Sequence, residues 1–572
     1  MCSSDLVDVQ DAAMVKTIEE TLSSKDEIQQ LFALEIIEGL PLSSWKDSLG
    51  RLFKEGSVDV RKRILSMAWD EEFILSNEDI IATMKKDDAV AIEAIMVAGR
   101  RKLTEILPDL EPLLSADSLE TRAAAAAAIL QLETGHTDKA ESVLIEMLDN
   151  DDESTQATAL NRLVYNNSIL PQEKLIEFLK NEGPVISNVA LTIAEKREEP
   201  ELIPSIITNL DIPKTRPQAQ LTLNKFSDDL VIEEFEKLLS SSHLSRKLRL
   251  GIICALREYP NDKPIDMLLD QLDQLDQLDQ LDQDVYNEVV DSLLTIARLH
   301  PFDEEKKAKI TEEIRMIASK VYALNEAIKL IPDDDKKFLM YDYLNNEIQN
   351  TLPTLLKLGV IDVPDTPIET YIHTVKSGDP AKLPFLLEFF ENIFSKEERD
   401  IINPLIEPIS LKERSQIGHS HFKDLPNNLD TVITESVYSP NKWESVIALD
   451  YLIKTEKMDV FKELDWSNVP VTNANKELLT RTIQKNGTNL EFISVDRFKL
   501  EDIELSMYST LEKTIILKSV DLFKTIPAEN LSRISQITEE VQFEANTPIF
   551  AEGDYGDSLF IVVNGNVKIH KG

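Results

Sequence analysis

The residues that could do chemistry in this chain are few and scattered. Its seven histidines include one close pair, His419 and His421. A His-x-His motif needs further ligands within reach before it can hold a metal ion, so we interpret the pair as part of a surface loop. A Gly-rich phosphate-binding loop, a nucleophile elbow and a Cys-x-x-Cys motif are all absent from the sequence. We therefore predict no enzyme activity, no metal site and no resident cofactor.

The most distinctive local pattern lies near the C-terminal end, where turn-forming residues separate short runs of β-type residues. Glycine permits left-handed backbone, and a short carboxylate can accept hydrogen bonds from turn amides. Asn564-Gly565 suits a tight hairpin between the runs Leu559 to Val563 and Asn566 to Ile569. Pro548 to Phe550 reads as another strand. The turn residues of this region are Gly553, Asp554, Gly556, Asp557 and Gly565.

The residues before these turns extend the pattern. Pro527 to Ile534 reads as a helix, as does Leu522-Phe523, and Val541 with Phe543 reads as a first strand. Together with the turns, the stretch 521–572 resembles the N-terminal half of a cyclic-nucleotide-binding domain, which is a jelly-roll-like β-roll preceded by helices. Asn546 stands where that family usually has a glycine, and asparagine tolerates the same left-handed conformation.

The resemblance implies where a ligand would bind. In this family a Phe-Gly-Glu stretch and an arginine hold the ligand phosphate, and neither occurs in this sequence after Gly565. Binding of cAMP or cGMP would therefore require a complete domain. Ile549 and Val567 would then line the pocket wall, although a core role explains both equally well. We expect that the chain is a fragment, and that residues 1–6 are an artefact because a sequencing adapter would encode Cys2 to Leu6.

Most of the chain before this region is repetitive. From about residue 7 to 300 the sequence repeats with a period of about 31 residues. Each unit reads as two amphipathic helices that must stack on their neighbours to bury their apolar faces, so the repeat predicts an α-α superhelix. The second helices are predicted to start near Val58, Asp88, Leu119, Glu153, Gly183, Thr215, Ser245 and Asp284.

One unit shows the helix-pair pattern most clearly. Ile106 to Leu114 reads as its first helix, with Pro108 in the first turn, where a missing amide costs little. Asp117 or Ser118 is placed to cap the second helix. The alanines from Ala123 to Ala128 favour helix and allow neighbouring helices to approach closely.

Charged residues in these units resemble those of HEAT-type repeats, in which a turn aspartate and an early-helix arginine can form a ladder between units. Arg122 and Arg61 both match the arginine position, whereas Gln156 does not. We therefore expect an interrupted ladder, and we interpret both arginines as scaffold residues rather than ligand-binding ones.

A run of Leu-Asp-Gln triplets interrupts the repeat between Asp270 and Gln283. A leucine at every third position drifts by about 60° per step around a helix, so Leu272 and Leu281 should point in opposite directions. We interpret the run as a tandem expansion that lengthens or bulges an exposed helix. A coiled-coil or binding role fits less well because the period is not 3.5.

The remaining stretches are predicted to be helical. Residues 301–428 form further helical hairpins with a break from Val360 to Pro367, and residues 429–520 form a helical connector. We interpret Trp443 and Trp466 in the connector as core residues. The predicted fold class is thus mostly α: a HEAT-like solenoid with an incomplete C-terminal β-roll.

Composition limits the partners and the compartment. The chain of 572 residues carries 103 Asp and Glu against 61 Lys and Arg, for a net charge of −42. This acidity argues against nucleic acid and against anionic lipid as partners. Two cysteines exclude a disulfide framework and favour a reducing cytoplasm. No apolar run reaches the roughly 20 residues that span a bilayer, so membrane association would need an upstream region.

These observations favour a non-enzymatic regulatory scaffold that binds a protein on its solenoid surface and senses a cyclic nucleotide at its C-terminal end. The combination is similar to the cytoplasmic part of bacterial membrane proteins related to ATP/ADP translocases, which implies a location on the cytoplasmic side of the inner membrane. A protein-binding scaffold without any ligand is one alternative. A HEAT-like lyase that attaches chromophores is another, supported only by analogy of fold.

Overall fold

The computed structural model describes most of the chain, and its α-helices fall into two compact units, Met1–Ala255 and Leu256–Gly572. The described residues are 12–569 apart from 39, 41, 70–73, 87–88, 136, 165, 167, 182, 242, 278–282, 487–494, 499–505, 552–555 and 557. Residues 1–6, expected to be an artefact, thus lie outside the described part.

The first unit consists of short helices that pack mainly on their neighbours in sequence. Its α-helices are α1 (Ala12–Leu22), α2 (Glu27–Ile37), α3 (Lys46–Glu55), α4 (Val58–Met67), α5 (Asn77–Met84), α6 (Ala91–Arg100), α7 (Leu107–Leu110), α8 (Leu119–Leu132), α9 (Asp138–Leu148), α10 (Glu153–Leu163), α11 (Gln172–Leu179), α12 (Pro184–Arg197), α13 (Ile203–Ile207), α14 (Arg216–Leu223), α15 (Asp228–Leu239) and α16 (Arg246–Ala255). Its 3-10 helices are Leu42–Trp45, Thr104–Ile106, Glu111–Ser115, Pro200–Leu202 and Thr208–Asp211.

The second helices of the predicted pairs in this unit are α4, α6, α8, α10, α12, α14 and α16, and each begins at or near its predicted start. Side-chain caps explain why several starts are sharp. Ser118 accepts a hydrogen bond from the Thr121 amide at the start of α8, and Asp152 accepts one from Thr155 at the start of α10. Ser118, and not Asp117, is therefore the cap of α8. The helical solenoid architecture is confirmed at the level of these stacked pairs.

The alanine run of α8 lies at a close helix contact, as predicted. Ala123 to Ala128 are all fully buried. At Gly99 on α6, a Cβ atom would lie 2.7 Å from the Cα atom of Ala128, which leaves no room for a side chain. The backbones of α6 and α8 therefore approach each other through small residues.

One first-helix prediction was wrong in detail. Ile106 to Leu114 is not one α-helix but a 3-10 turn, the four-residue α7 and a second 3-10 turn. Pro108 and Pro112 explain the interruption, because proline has no amide to donate and its ring crowds the carbonyl four residues before it. Leu110 and Leu114 are still buried, so the broken helix keeps its apolar face on the core.

The second unit contains longer helices. Its α-helices are α17 (Asp262–Gln277), α18 (Gln283–Ala297), α19 (Glu304–Leu330), α20 (Leu339–Gly359), α21 (Ile368–Ser377), α22 (Leu383–Ile393), α23 (Lys396–Ile406), α24 (Leu411–His421), α25 (Leu429–Tyr438), α26 (Lys442–Lys454), α27 (Met458–Glu463), α28 (Asn473–Asn486), α29 (Val495–Phe498), α30 (Thr510–Ser519) and α31 (Ala528–Gln536). Its 3-10 helices are Leu256–Glu258 and Asp333–Asp335.

The core of the second unit forms around α26. This helix packs on α20, α25, α27 and α28. Trp443 and Trp466 are both buried in this core, as predicted, and Trp466 packs edge-to-face against Phe461 with ring centroids 5.1 Å apart. The predicted break from Val360 to Pro367 separates α20 from α21. In the triplet region, Leu272 is buried on α17, whereas Leu281 lies outside the described residues.

The predicted β-roll is not seen. No strand is present between Ser506 and Ile569 in the residues that the structure describes, including the runs around Phe543, Phe550, Phe560 and Val567. A short hairpin without further strands or a packing surface is marginal in water, which explains why strand-type sequence alone does not form a sheet here. Leu522-Phe523 lies in a turn rather than a helix, while Ala528 to Ile534 is helical within α31 as predicted and Pro527 is the N-cap residue.

Candidate interaction surfaces

In the first unit, the exposed side of several first helices carries carboxylates. Most apolar residues of these helices pack against neighbouring helices, for example Leu144 and Leu148 on α9 and Phe235 on α15, although Ile145 and Leu230 are exposed. The opposite faces of these helices meet solvent. We call the exposed acidic residues on them the acidic face: Asp138 and Glu146 on α9, Glu173 on α11, and Asp228, Asp229 and Glu233 on α15.

Ion pairs link neighbouring helix pairs in this unit. Arg162 on α10 donates to Glu120 on α8 at 2.7 Å. Lys102 lies 2.6 Å from Glu133, at the C-terminal ends of α6 and α8. Exposed pairs of this kind contribute at most about 1 kcal/mol each, so they set the register between pairs more than they stabilise the fold. Further links are Lys62–Glu93, Lys85–Asp109, Lys174–Asp149 and Lys225–Glu195.

The two arginines predicted from the HEAT resemblance lie in different surroundings. The Arg61 guanidinium lies 5.7 Å from the centroid of the Phe53 ring, and Arg122 is half-buried with a buried Nε atom that has no hydrogen-bond partner. Arg162, near the end of its helix, forms an inter-unit contact that was not predicted. The sequence feature that could have predicted this contact is a basic residue near the end of one second helix together with an acidic residue near the start of the preceding second helix.

The C-terminal segment, which we define as residues 537–569, exposes an unusual amount of apolar surface. Phe550 stacks near Phe560 with ring centroids 6.3 Å apart, and Phe543 lies 6.2 Å from the same ring. These rings form a small cluster, yet much of each remains exposed. Apolar patches of this kind usually mark an interaction site or an unfilled packing surface. The other exposed apolar residues are Ile537, Val541, Leu559, Val562, Val563, Val567 and Ile569.

The predicted site residues in this segment are only partly described. Ile549 is half-buried and Val567 is 49% exposed. Gly565 has φ +98° and Asn546 has φ +70°, which places left-handed backbone where the sequence pattern requires it. Gly556 is described and is open on the side where a Cβ atom would lie. Gly553, Asp554 and Asp557 lie outside the described residues.

The C-terminal segment is attached to the helices before it by charged side chains. Glu540 accepts hydrogen bonds from the amides of Met507 at 3.0 Å and Tyr508 at 3.2 Å, and it lies 3.0 Å from the Lys513 ammonium. Lys513 also donates to the Thr538 carbonyl at 3.2 Å. These contacts were not predicted. A side chain that binds backbone amides more than 30 residues away in sequence produces no local sequence pattern.

The histidine pair lies in the last turn of α24, not in a loop. The His419 Nε2 atom is 3.8 Å from a carboxylate oxygen of the buried Glu326, and the His421 ring lies near Phe422. Within the part of the chain that the structure describes, no three His, Cys, Asp or Glu side chains are grouped so that they could hold a metal ion. His419 thus forms a contact between α24 and α19.

A shallow groove lies between α20 and α21. It is lined by Leu352, Leu356 and Ile372 with Lys376 at its edge, and the empty space along it, which includes open solvent, is about 160 Å³. Sites for drug-sized ligands usually have at least about 300 Å³, so this groove is too small for a nucleotide.

Among the described helices, none combines the length and the apolar composition needed to cross a bilayer.

Comparisons with known proteins add little to this geometry. None of the family models that we compared with the chain matches it. Among solved structures, the chain is similar to one in a homology model of the full-length AP-3 complex in an intermediate open conformation. The two chains are 13% identical, the alignment covers 92% of this chain and 98% of that one, and the TM-score is 0.27. A TM-score this low supports no conclusion about function.

Proposed function

We propose that this chain is a non-enzymatic scaffold that binds another protein on its stacked helix pairs. The observation that carries the proposal is that most apolar residues of the first unit are buried between stacked helices, whereas the acidic face is exposed to solvent. Stacked repeats of this kind commonly serve as extended binding surfaces. A net charge of −42 favours a partner with a basic surface, because complementary charge speeds and orients association.

The test is capture by the purified chain at low and moderate salt, with charge reversal on the acidic face. The variant Glu146→Lys with Glu173→Lys should lose at least tenfold of a specifically bound protein. The matched control, Glu388→Lys with Glu391→Lys on α22, changes the net charge equally and should retain it. Equal loss in both variants, or no specific capture by the wild-type chain, would contradict the proposal.

A second candidate function is nucleotide sensing at the C-terminal end. The left-handed backbone at Asn546 and Gly565 supports it, since Asn546 stands where cyclic-nucleotide-binding domains usually have a glycine and Gly565 lies at one of the turns that carry the resemblance. We propose that Ile549 and Val567 contact cAMP or cGMP when the domain is complete. Fluorescence polarisation of labelled cAMP and cGMP on the full-length gene product tests this. Ile549→Asp and Val567→Asp should abolish binding, whereas Ile537→Asp should not, and absence of binding to the wild type would reject it.

The transporter connection is a further proposal that rests on the same resemblance. In it, the scaffold faces the cytoplasm and any membrane contact comes through another region of the protein. Sequencing of the gene locus on both sides tests this directly. Several membrane-spanning segments in frame before the helical repeats are expected, and an upstream stop codon followed by a genuine start codon would rule the connection out.

A further inference from the structure

A short stretch of backbone before α30, Ser506 to Tyr508, is held from two sides by charged side chains. On one side, the Glu540 carboxylate takes the amides of Met507 and Tyr508. On the other, the Arg481 guanidinium donates to the carbonyl of Ser506 at 2.6 Å and to that of Met507 at 3.4 Å. The amides and carbonyls of one short bent stretch are thus bound by opposite charges from different parts of the chain.

The two charged residues belong to different structural elements of the second unit. Glu540 lies in the C-terminal segment, just beyond α31. Arg481 lies on α28, which packs on the core helix α26. Arg481 is itself fixed by Glu477 on its own helix at 3.1 Å and lies 3.8 Å from Glu512 on α30. The stretch therefore connects the C-terminal segment, α30 and α28 through charge-assisted hydrogen bonds, which are stronger than neutral ones.

The environment of Glu540 favours its charged form. Burial raises its pKa, but the hydrogen bonds from Lys513 and from the two amides outweigh burial, so the pKa lies below that of an ordinary glutamate. The side chains of Glu540 and Lys513 are 24% and 18% exposed, so solvent screens the pair only partly. Glu540 binds the two amides before α30, and two other residues of the C-terminal segment lie close by: Thr538 accepts from Lys513, and the Gln542 amide nitrogen lies 3.9 Å from the Met507 sulfur.

We propose that Glu540 is a latch that passes the position of the C-terminal segment to α30 and α28. When Glu540 holds the Met507 and Tyr508 amides, the Ser506 to Tyr508 stretch is fixed and Arg481 can bind its carbonyls. When Glu540 is released, the stretch loses one of its two supports and the Arg481 contacts weaken with it. The latch adds a regulatory contact to the proposed scaffold and requires no nucleotide binding, so the two proposals can fail separately.

Hydrogen-exchange mass spectrometry on the full chain tests the latch. The variant Glu540→Gln keeps the shape of the side chain and removes its charge. We expect amide exchange in peptides covering 506–512 to become at least tenfold faster, with a smaller increase in α28. The matched control is Glu539→Gln, which removes the charge of the adjacent exposed glutamate and should leave both regions unchanged.

The reverse variant sharpens the result, because coupling between two sites is reciprocal. Arg481→Lys keeps the charge but loses the forked geometry, and it should speed exchange in 537–542. Lys513→Gln removes the ammonium group that pairs with Glu540, and it should produce a smaller increase in amide exchange in 506–512. The latch is rejected if Glu540→Gln behaves like Glu539→Gln, or if its effect stays within 537–542.

Discussion

Helix α8 and the C-terminal segment are both rich in apolar residues, yet those of α8 are buried and many of those in the C-terminal segment are exposed. All residues of α8 from Ala123 to Leu132 are buried. In the C-terminal segment, side chains as large as Phe550 and Leu559 are more than half exposed. Apolar composition is therefore not what decides burial in this chain. What differs is the presence of a complementary surface within reach.

The two regions also differ in how their backbone amides and carbonyls find hydrogen-bond partners. A helix pairs its own amides and carbonyls, so α8 needs its neighbours α6 and α10 only for side-chain packing. Strand-type sequence needs a second strand for both hydrogen bonding and packing. The C-terminal segment is instead attached through ion pairs and side-chain hydrogen bonds around Glu540.

The largest expected effect is a matched pair of isoleucine truncations. Ile129→Ala on the buried α8 should lower the free energy of unfolding by about 3 kcal/mol, because it removes buried methylenes and leaves a cavity. Ile569→Ala in the C-terminal segment, where the side chain is 88% exposed, should change it by less than about 0.5 kcal/mol.

Hydrogen exchange in increasing urea, read peptide by peptide, gives each region its own unfolding free energy. The comparison fails if Ile569→Ala destabilises α30 or α31 as strongly as Ile129→Ala destabilises α8. That result would mean that the C-terminal segment has a packing surface of its own.

A pair of glycine substitutions in the first unit tests whether the close backbone contact between α6 and α8 limits which residue can occupy position 99. Gly99→Ala should destabilise it by about 2 kcal/mol, because the new Cβ atom meets the backbone of Ala128 and overpacks the contact. Gly50→Ala on α3 has open space at its Cβ position and should stabilise by about 0.5–1 kcal/mol through helix propensity. Both are measured by the same exchange experiment. Stabilisation by both substitutions would show that α6 and α8 can separate without cost.

A structural feature could be predicted from the sequence when the interactions that form it are between residues close together in the chain. The starts of the second helices could be predicted because caps and helical periodicity are local, as at Ser118. The broken helix around Pro108 was missed because two prolines outweigh an otherwise helical apolar pattern. The β-roll prediction relied on turn residues, and the left-handed Gly565 did form, but pairing of strands depends on partners that local sequence does not contain.

The site residues follow the same rule. Left-handed backbone at Asn546 could be predicted from residue type alone. The Glu540 contacts could not, because a carboxylate that binds backbone amides has no preferred residue type opposite it. Arg162 was missed for a related reason, since its partner Glu120 lies more than one repeat away.

A smaller effect is expected at helix ends in the first unit, where glutamates occupy left-handed positions. Glu198 follows α12 with φ +51°, a conformation that costs a non-glycine residue about 1 kcal/mol. Glu198→Gly should therefore stabilise the unit by about that amount. Glu133→Gly relieves the same strain at φ +53° but loses the Lys102 pair, so its gain should be smaller. A larger gain at Glu133 would show that the ion pair contributes nothing.

The most subtle prediction concerns pH, where the two regions should respond differently. Because the pKa of Glu540 is lowered, its contribution is fully present above the ordinary glutamate pKa of about 4.3 and is lost as the pH falls through the lower value in the folded protein. The contact between Gly99 and Ala128 contains no titratable group and should be unaffected. With 11 methionines, ¹⁵N-methionine labelling gives a simple amide spectrum, in which Met507→Leu assigns the Met507 signal. That signal should titrate with a midpoint below about 4.3 in the wild type and should not titrate in Glu540→Gln. A midpoint at or above the ordinary value would mean that the amides and Lys513 do not hold the carboxylate in solution, and the C-terminal segment would then be attached by its apolar residues after all.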